Sequence, residues 1–140
     1  MAGSKGTKKA IKKILIPFLI ILVLMIAGFS TFLLMGKEKA LQLTTAEITL
    51  TGVEDGVYTG SYQGFRWSNT VEVTVRNHKI VSIRTLKPQV FAKDETIETL
   101  TEKILSSQST DVDAVSGATA DSKAYLKAVE NALKQPGDKK

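Results

Sequence analysis

The sequence predicts an α+β fold: a small antiparallel sheet with two helices, preceded by a single N-terminal transmembrane helix. Three observations carry this reading. Residues 14–35 contain no charge; Val71, Val73 and Val75 alternate with Glu72 and Thr74 just ahead of a polar turn; and beyond Pro88 the apolar residues recur at helical spacing.

The first element is the apolar run ILIPFLIILVLMIAGFSTFLLM, Ile14 to Met35. As a helix it reaches roughly 33 Å, enough to cross a hydrocarbon core of about 30 Å. It lacks the polar stripe that a core helix of a soluble domain would show. Pro17 falls in the first turn of the run, where a missing N–H costs little. Lys5, Lys8, Lys9, Lys12 and Lys13 precede the run, whereas only Lys37 and Lys39, around Glu38, follow it closely. The positive-inside rule then makes residues 1–13 a cytoplasmic basic tail and puts everything after the helix outside the cell membrane. The rival is a cleaved signal peptide. Its apolar region is shorter, and Gly36-Lys37-Glu38-Lys39-Ala40 makes a poor cleavage site.

Residues 36–54 read as a linker. Three strands follow, Val57 to Gln63, Thr70 to Arg76 and Ile80 to Leu86, the last two joined by the turn Asn77-His78-Lys79. The third alternates less cleanly than the second. Gly64 to Asn69 joins the first two and holds Phe65, Arg66 and Trp67. A helix is expected from Asp94 or Glu95 to Ser107, with Ile97, Leu100, Ile104 and Leu105 on one face and acids in its early turns. A second runs from Ala120 or Ser122 to Lys134 and buries Ala124, Tyr125, Ala128, Val129 and Ala132. Gln135-Pro136-Gly137 ends it, leaving 135–140 as a disordered tail. The compact part is 55–134, enough for one core and too small for a large enclosed catalytic cavity.

Charge and cysteine narrow the function. The net charge is +5, but five lysines lie before the apolar run, and residues 37–140 carry 14 basic and 14 acidic residues. That excess is a topology signal and a contact for membrane lipid, and no nucleic-acid partner is expected. With no Cys in the chain, thiolate metal sites, disulfides, redox dithiols and a lipidated cysteine are excluded. The lone His78 lies in a hairpin turn, and no catalytic or metal-ligating set is expected.

The segment richest in chemistry is Asp113-Ala114-Val115-Ser116-Gly117-Ala118-Thr119, which leads into the last helix. Gly117 lets the backbone turn sharply or approach a ligand. The helix start offers unpaired N–H groups and positive dipole, which suit a phosphate, with the Thr119 hydroxyl at the same spot. The plain alternative is a loop in which Thr119, Asp121 or Ser122 caps the helix.

This string resembles the flavinylation motif of the FMN-binding domain family. That family includes the flavin-carrying subunits of sodium-pumping NADH:quinone oxidoreductases and Rnf-type complexes, and small anchored extracytoplasmic flavoproteins. Further along the chain, Asp55 to Ser61 looks like the family's opening strand, and Val71 to Val75 with Ile80 resembles its central hairpin. Ile104, Gln108-Ser109 and Val112-Asp113 precede the motif as they do in the family, so the likeness spans 55 to about 133. It implies FMN linked to Thr119 through a phosphoester, with Ser116, Gly117, Ala118 and Asp113 as its surrounding loop. It also implies an FMN transferase that installs the group from FAD with magnesium, and an electron donor and acceptor in the membrane or outside it. On this reading 55–134 is an FMN-binding domain that relays electrons and is not itself an enzyme. The isoalloxazine ring needs flat apolar partners, for which Trp67, Phe65 and Tyr62 are candidates; the plain alternative makes Tyr62 and Phe65 core and Trp67 an exposed surface aromatic. Arg66 either pairs with phosphate or ring oxygens or, as expected here, is a solvated arginine. Departures from the family are Asp121 in place of Thr or Ser, which either caps the helix or repels the phosphate, the turn at 77–79, and Arg66-Trp67. Two alternatives remain: a reversible FMN-binding domain or reductase component, and a flavin-free interaction domain of the cell envelope.

Overall fold

The computed structural model describes residues 4–134 and divides them into two compact units that meet between Leu34 and Met35. The tail expected at 135–140 and the first three residues of the basic tail lie outside the described residues.

The first unit is one helix, α1 (Ser4–Leu34). It begins ten residues ahead of the expected span, because the lysine segment continues the helix. Pro17 therefore falls inside a helix and not in its first turn. There it removes the hydrogen bond to the carbonyl four residues back. None of the most apolar 18-residue window is buried and its mean hydropathy is 2.7, so this helix is long and apolar enough to cross a membrane.

The second unit is a three-stranded antiparallel meander with helices on one face. Strands β1 (Gly56–Tyr62), β2 (Asn69–Arg76) and β3 (Lys79–Lys87) stand in chain order. In β2 the expected alternation holds fully, with Val71, Val73 and Val75 sealed and Thr70, Glu72 and Thr74 turned outward. The β2–β3 turn is closed by Asn77 (φ 52°) and His78 (φ 56°), both left-handed as a two-residue hairpin of this hand requires. His78 is held in place by a 3.0 Å contact from Nδ1 to the Val53 carbonyl. Register shifts at Thr74/Val75 and Thr70/Val71 leave Val81 and Leu86 without partners. Two bulges are thus why β3 alternates poorly in sequence.

Helices α3 (Asp94–Ser107) and α4 (Thr119–Lys134) close the core over the sheet. All five residues assigned to the buried face of α4 are buried, joined by Ser122, Leu126, Glu130 and Leu133. The helix lies so close to β1 that a Cβ at Gly60 would fall 2.2 Å from the Ala128 carbonyl oxygen and the Ala132 nitrogen. Only glycine permits that approach, which sets how closely α4 packs on β1.

The segment read as a linker is built into the domain. Residues Lys37–Gln42 form a short helix, α2, whose Ala40 is fully buried beside Trp67, Ala120 and Ala124. Beyond it the chain is tied to α4: Lys123 Nζ donates to the Leu41 carbonyl (2.6 Å), Lys127 Nζ to the Thr44 carbonyl (3.3 Å), and the Ala46 N–H to Glu130 Oε2 (3.4 Å). The polar run from Lys37 to Lys39 hides this, because the anchoring partners lie some eighty residues away.

Candidate functional site at the start of the last helix

The motif loop reaches α4 through a tight turn in which the Ala118 N–H donates to the Val115 carbonyl (3.0 Å) and Gly117 adopts φ 77°. Ala118 then accepts the first helical N–H, from Ser122 (2.8 Å). Ser122, fully buried, holds the turn from inside: its hydroxyl donates to the Ala118 carbonyl (2.7 Å) and accepts the Val115 N–H (3.0 Å). Of the three candidate caps, Ser122 is thus spent on the loop.

Thr119 is the first residue of the helix and is exposed. Among the described residues its hydroxyl takes no hydrogen bond. Ser116, Gly117 and Asp113 are exposed beside it and Ala118 is half-buried. The Asp113 carbonyl accepts from Lys103 Nζ (3.0 Å), which pins the loop to α3. A Cβ built on Gly117 would meet no atom within 4 Å, so space is open over the turn. Unpaired N–H groups of a first helical turn, a free hydroxyl and open space fit a phosphate-bearing group such as FMN.

Asp121 turns away from that space. Its Oδ1 is buried without a hydrogen bond and stands 4.0 Å from Arg66 Nη1. Burial pushes its carboxyl up, with the Arg66 charge and a backbone N–H pulling the other way. Arg66 is not solvated as expected: its guanidinium stacks 3.9 Å over the Trp67 ring and its Nη1 reaches the Val90 carbonyl (3.4 Å).

Trp67 is neither a surface aromatic nor open to a flavin ring. It is 0% exposed, packed beneath the first turns of α4 and capped on one face by Arg66. The reason is Gly64 to Trp67, a single 3-10 turn that tucks the indole inward while Phe65, at φ 54°, points out 51% exposed. Tyr62 is half-buried against the same cluster, and burial raises its hydroxyl pKa.

The residues missed in sequence lie at 88–92. Gln89 Nε2 donates to the Asp121 carbonyl (2.9 Å), and the Val90 N–H donates to the Arg66 carbonyl (2.9 Å). These bonds dock the loop on the α4 start and leave Val90 and Phe91 exposed, Phe91 at φ 64°. A cleft of about 280 Å³ between β3 and α3, lined by Thr85, Pro88, Asp94, Ile97 and Glu98, contains none of the motif residues.

Comparison with known proteins bears on the domain as a whole. A family profile described as FMN-binding domain matches residues 64–134, which include the motif, α3, α4 and two of the strands. The chain is also similar to an uncharacterized protein of Treponema pallidum (strain Nichols), 33% identical over 105 residues. That alignment covers 71% of this chain but 27% of the relative, so the chain spans about a quarter of that protein's length.

Proposed function

Because the chain belongs to the FMN-binding domain family, we propose that it is a membrane-anchored flavoprotein carrying FMN in a phosphoester bond to Thr119. The observation that carries the ester is the Thr119 hydroxyl, exposed and without a protein partner at the first residue of α4. In the attachment step that hydroxyl attacks the FMN phosphorus of FAD. An Oγ–P bond forms, the anhydride P–O bond breaks, AMP departs, and the hydroxyl proton passes to a base. No histidine lies in the loop, so the base and the magnesium belong to a separate transferase, for which this chain is substrate.

Bound flavin supplies the redox chemistry. The residues of the chain hold it. The first-turn N–H groups of α4 balance the phosphate charge, Ser122 keeps the turn rigid from beneath, and Asp121 is kept off the phosphate by Arg66. We read the protein as a carrier that passes electrons between a donor and an acceptor in or outside the membrane, with α1 as anchor and the lysines before it on the cytoplasmic side.

The test is intact mass under denaturing conditions, after coexpression of the full chain with an FMN transferase, beside Thr119→Ala. Added mass of one FMN less one water, absent from Thr119→Ala, is the expected result. Yellow colour lost on denaturation, with no added mass, would instead establish reversible binding, and a colourless protein would point to the envelope interaction domain.

A further inference from the structure

Phe65 and Phe91 are bulky aromatics held at positive φ and left exposed, on two loops joined by the Val90–Arg66 hydrogen bonds. A left-handed backbone is costly for such residues and persists only where the surroundings hold it. Val90 and Leu86 extend the apolar surface, at 45% and 41% exposure. The chain itself says what lies beside it. Phe65 packs on Gly36, where an added Cβ would come within 2.8 Å of Phe65 Cδ2. Gly36 is two residues beyond the end of α1, about 7 Å of chain at most. Covalent connectivity alone therefore keeps this aromatic near the end of the apolar helix. The segments 35–39 and 86–93 carry four lysines, Lys37, Lys39, Lys87 and Lys93, against one acid, Glu38. Apolar side chains on lysine-bearing segments suit a bilayer surface, with aliphatic stems in the acyl boundary and ammonium groups among the headgroups, while the acids Asp94 and Glu95 follow in the first turn of α3.

We propose that Phe65, Val90 and Phe91 seat the domain on the surface of the bilayer that α1 crosses. The seat holds the α4 start, and Thr119 with it, at the membrane and not on a free stalk. This rests on the anchor reading of α1 above.

The test uses the full chain in nanodiscs, with and without brominated acyl chains, and tryptophan emission as readout. Wild type reports the buried Trp67. Phe29→Trp reports α1, Phe91→Trp the seat, with Phe65→Trp as a second reporter, and Val81→Trp the far end of β3. The expected result is loss of emission in brominated lipid at Phe29→Trp, Phe91→Trp and Phe65→Trp, and none beyond wild type at Val81→Trp. Quenching at Phe29→Trp alone would overturn the seat while leaving the anchor standing. No quenching at Phe29→Trp would overturn the anchor, and the seat with it. Quenching at Phe91→Trp that disappears once the chain is loaded with FMN would assign the loop to the flavin ring, which also overturns the proposal.

Discussion

Asp121, two residues after Thr119 in the first turn of α4, could oppose a phosphate there, and its surroundings are what disarm it. The carboxylate is drawn toward Arg66, whose guanidinium is in turn fixed between the Trp67 face and the Val90 carbonyl. Burial raises the Asp121 pKa more than Arg66 lowers it. A carboxyl with a raised folded pKa favours folding below its ordinary value of about 3.9, and that contribution fades as pH rises through the folded value. Asp121 should therefore titrate above the usual aspartate range when followed by carboxyl NMR. Arg66→Met, which keeps the stem but removes the charge, should move the midpoint higher still; a midpoint that fell or stayed put would show that Arg66 does not face it. This arrangement was only partly legible in sequence. The turn into α4 at 113–119 was, since small residues before a helix are a local signal, although its reading as a flavin-attachment motif came from the likeness to the family and not from the residues alone. The burial of Trp67 was not, because Ala40, Ala120 and Ala124 close over it from distant parts of the chain. Phe91 escaped notice for a related reason: its loop gains meaning only once Gln89 reaches Asp121.

At the scale of elements, strands and helices were readable wherever the pattern was local, as in the valines of β2 and the α4 face. The strap from Lys37 to Ala46 was not, and its keystone is Glu130. This carboxylate is fully buried, bonded to Lys127 and Lys134 on its own helix and to the Ala46 N–H across the strap. Burial alone would raise its pKa; the hydrogen bonds and charges of Lys134 and Lys127 outweigh that and hold it below the usual range. Its stabilisation is thus fully present above the unfolded value of about 4.3 and is lost as pH falls through the lower folded pKa. Glu130→Gln should cost about 1.5–3 kcal/mol at pH 7, the worth of hydrogen bonds to a charged group. In urea melts the gap from wild type should persist down to pH 5 and shrink as pH drops below about 4. A gap independent of pH would mean that shape, and not charge, is what Glu130 contributes.

For the whole molecule, the proposal that α1 is a membrane anchor turns on which side of the membrane holds the domain. Five lysines lie before the apolar run and none of the acids does, while the segment just after it is nearly balanced. Lysine-rich flanks stay on the cytoplasmic side because translocating them against the membrane potential is costly. The folded domain, with equal numbers of acidic and basic residues, offers little opposing bias. The absence of cysteine makes the test clean, since any introduced thiol is the only one present. Ser4→Cys reports the N-terminus, and Thr59→Cys reports the exposed outer face of the sheet. On intact cells a membrane-impermeant maleimide should label Thr59→Cys and leave Ser4→Cys unmodified until the membrane is permeabilised. The reverse pattern would put the domain in the cytoplasm and remove extracytoplasmic electron relay from consideration. Labelling of Thr59→Cys in the culture fluid, on a chain shortened to its folded unit, would instead show that the apolar helix is a cleaved signal.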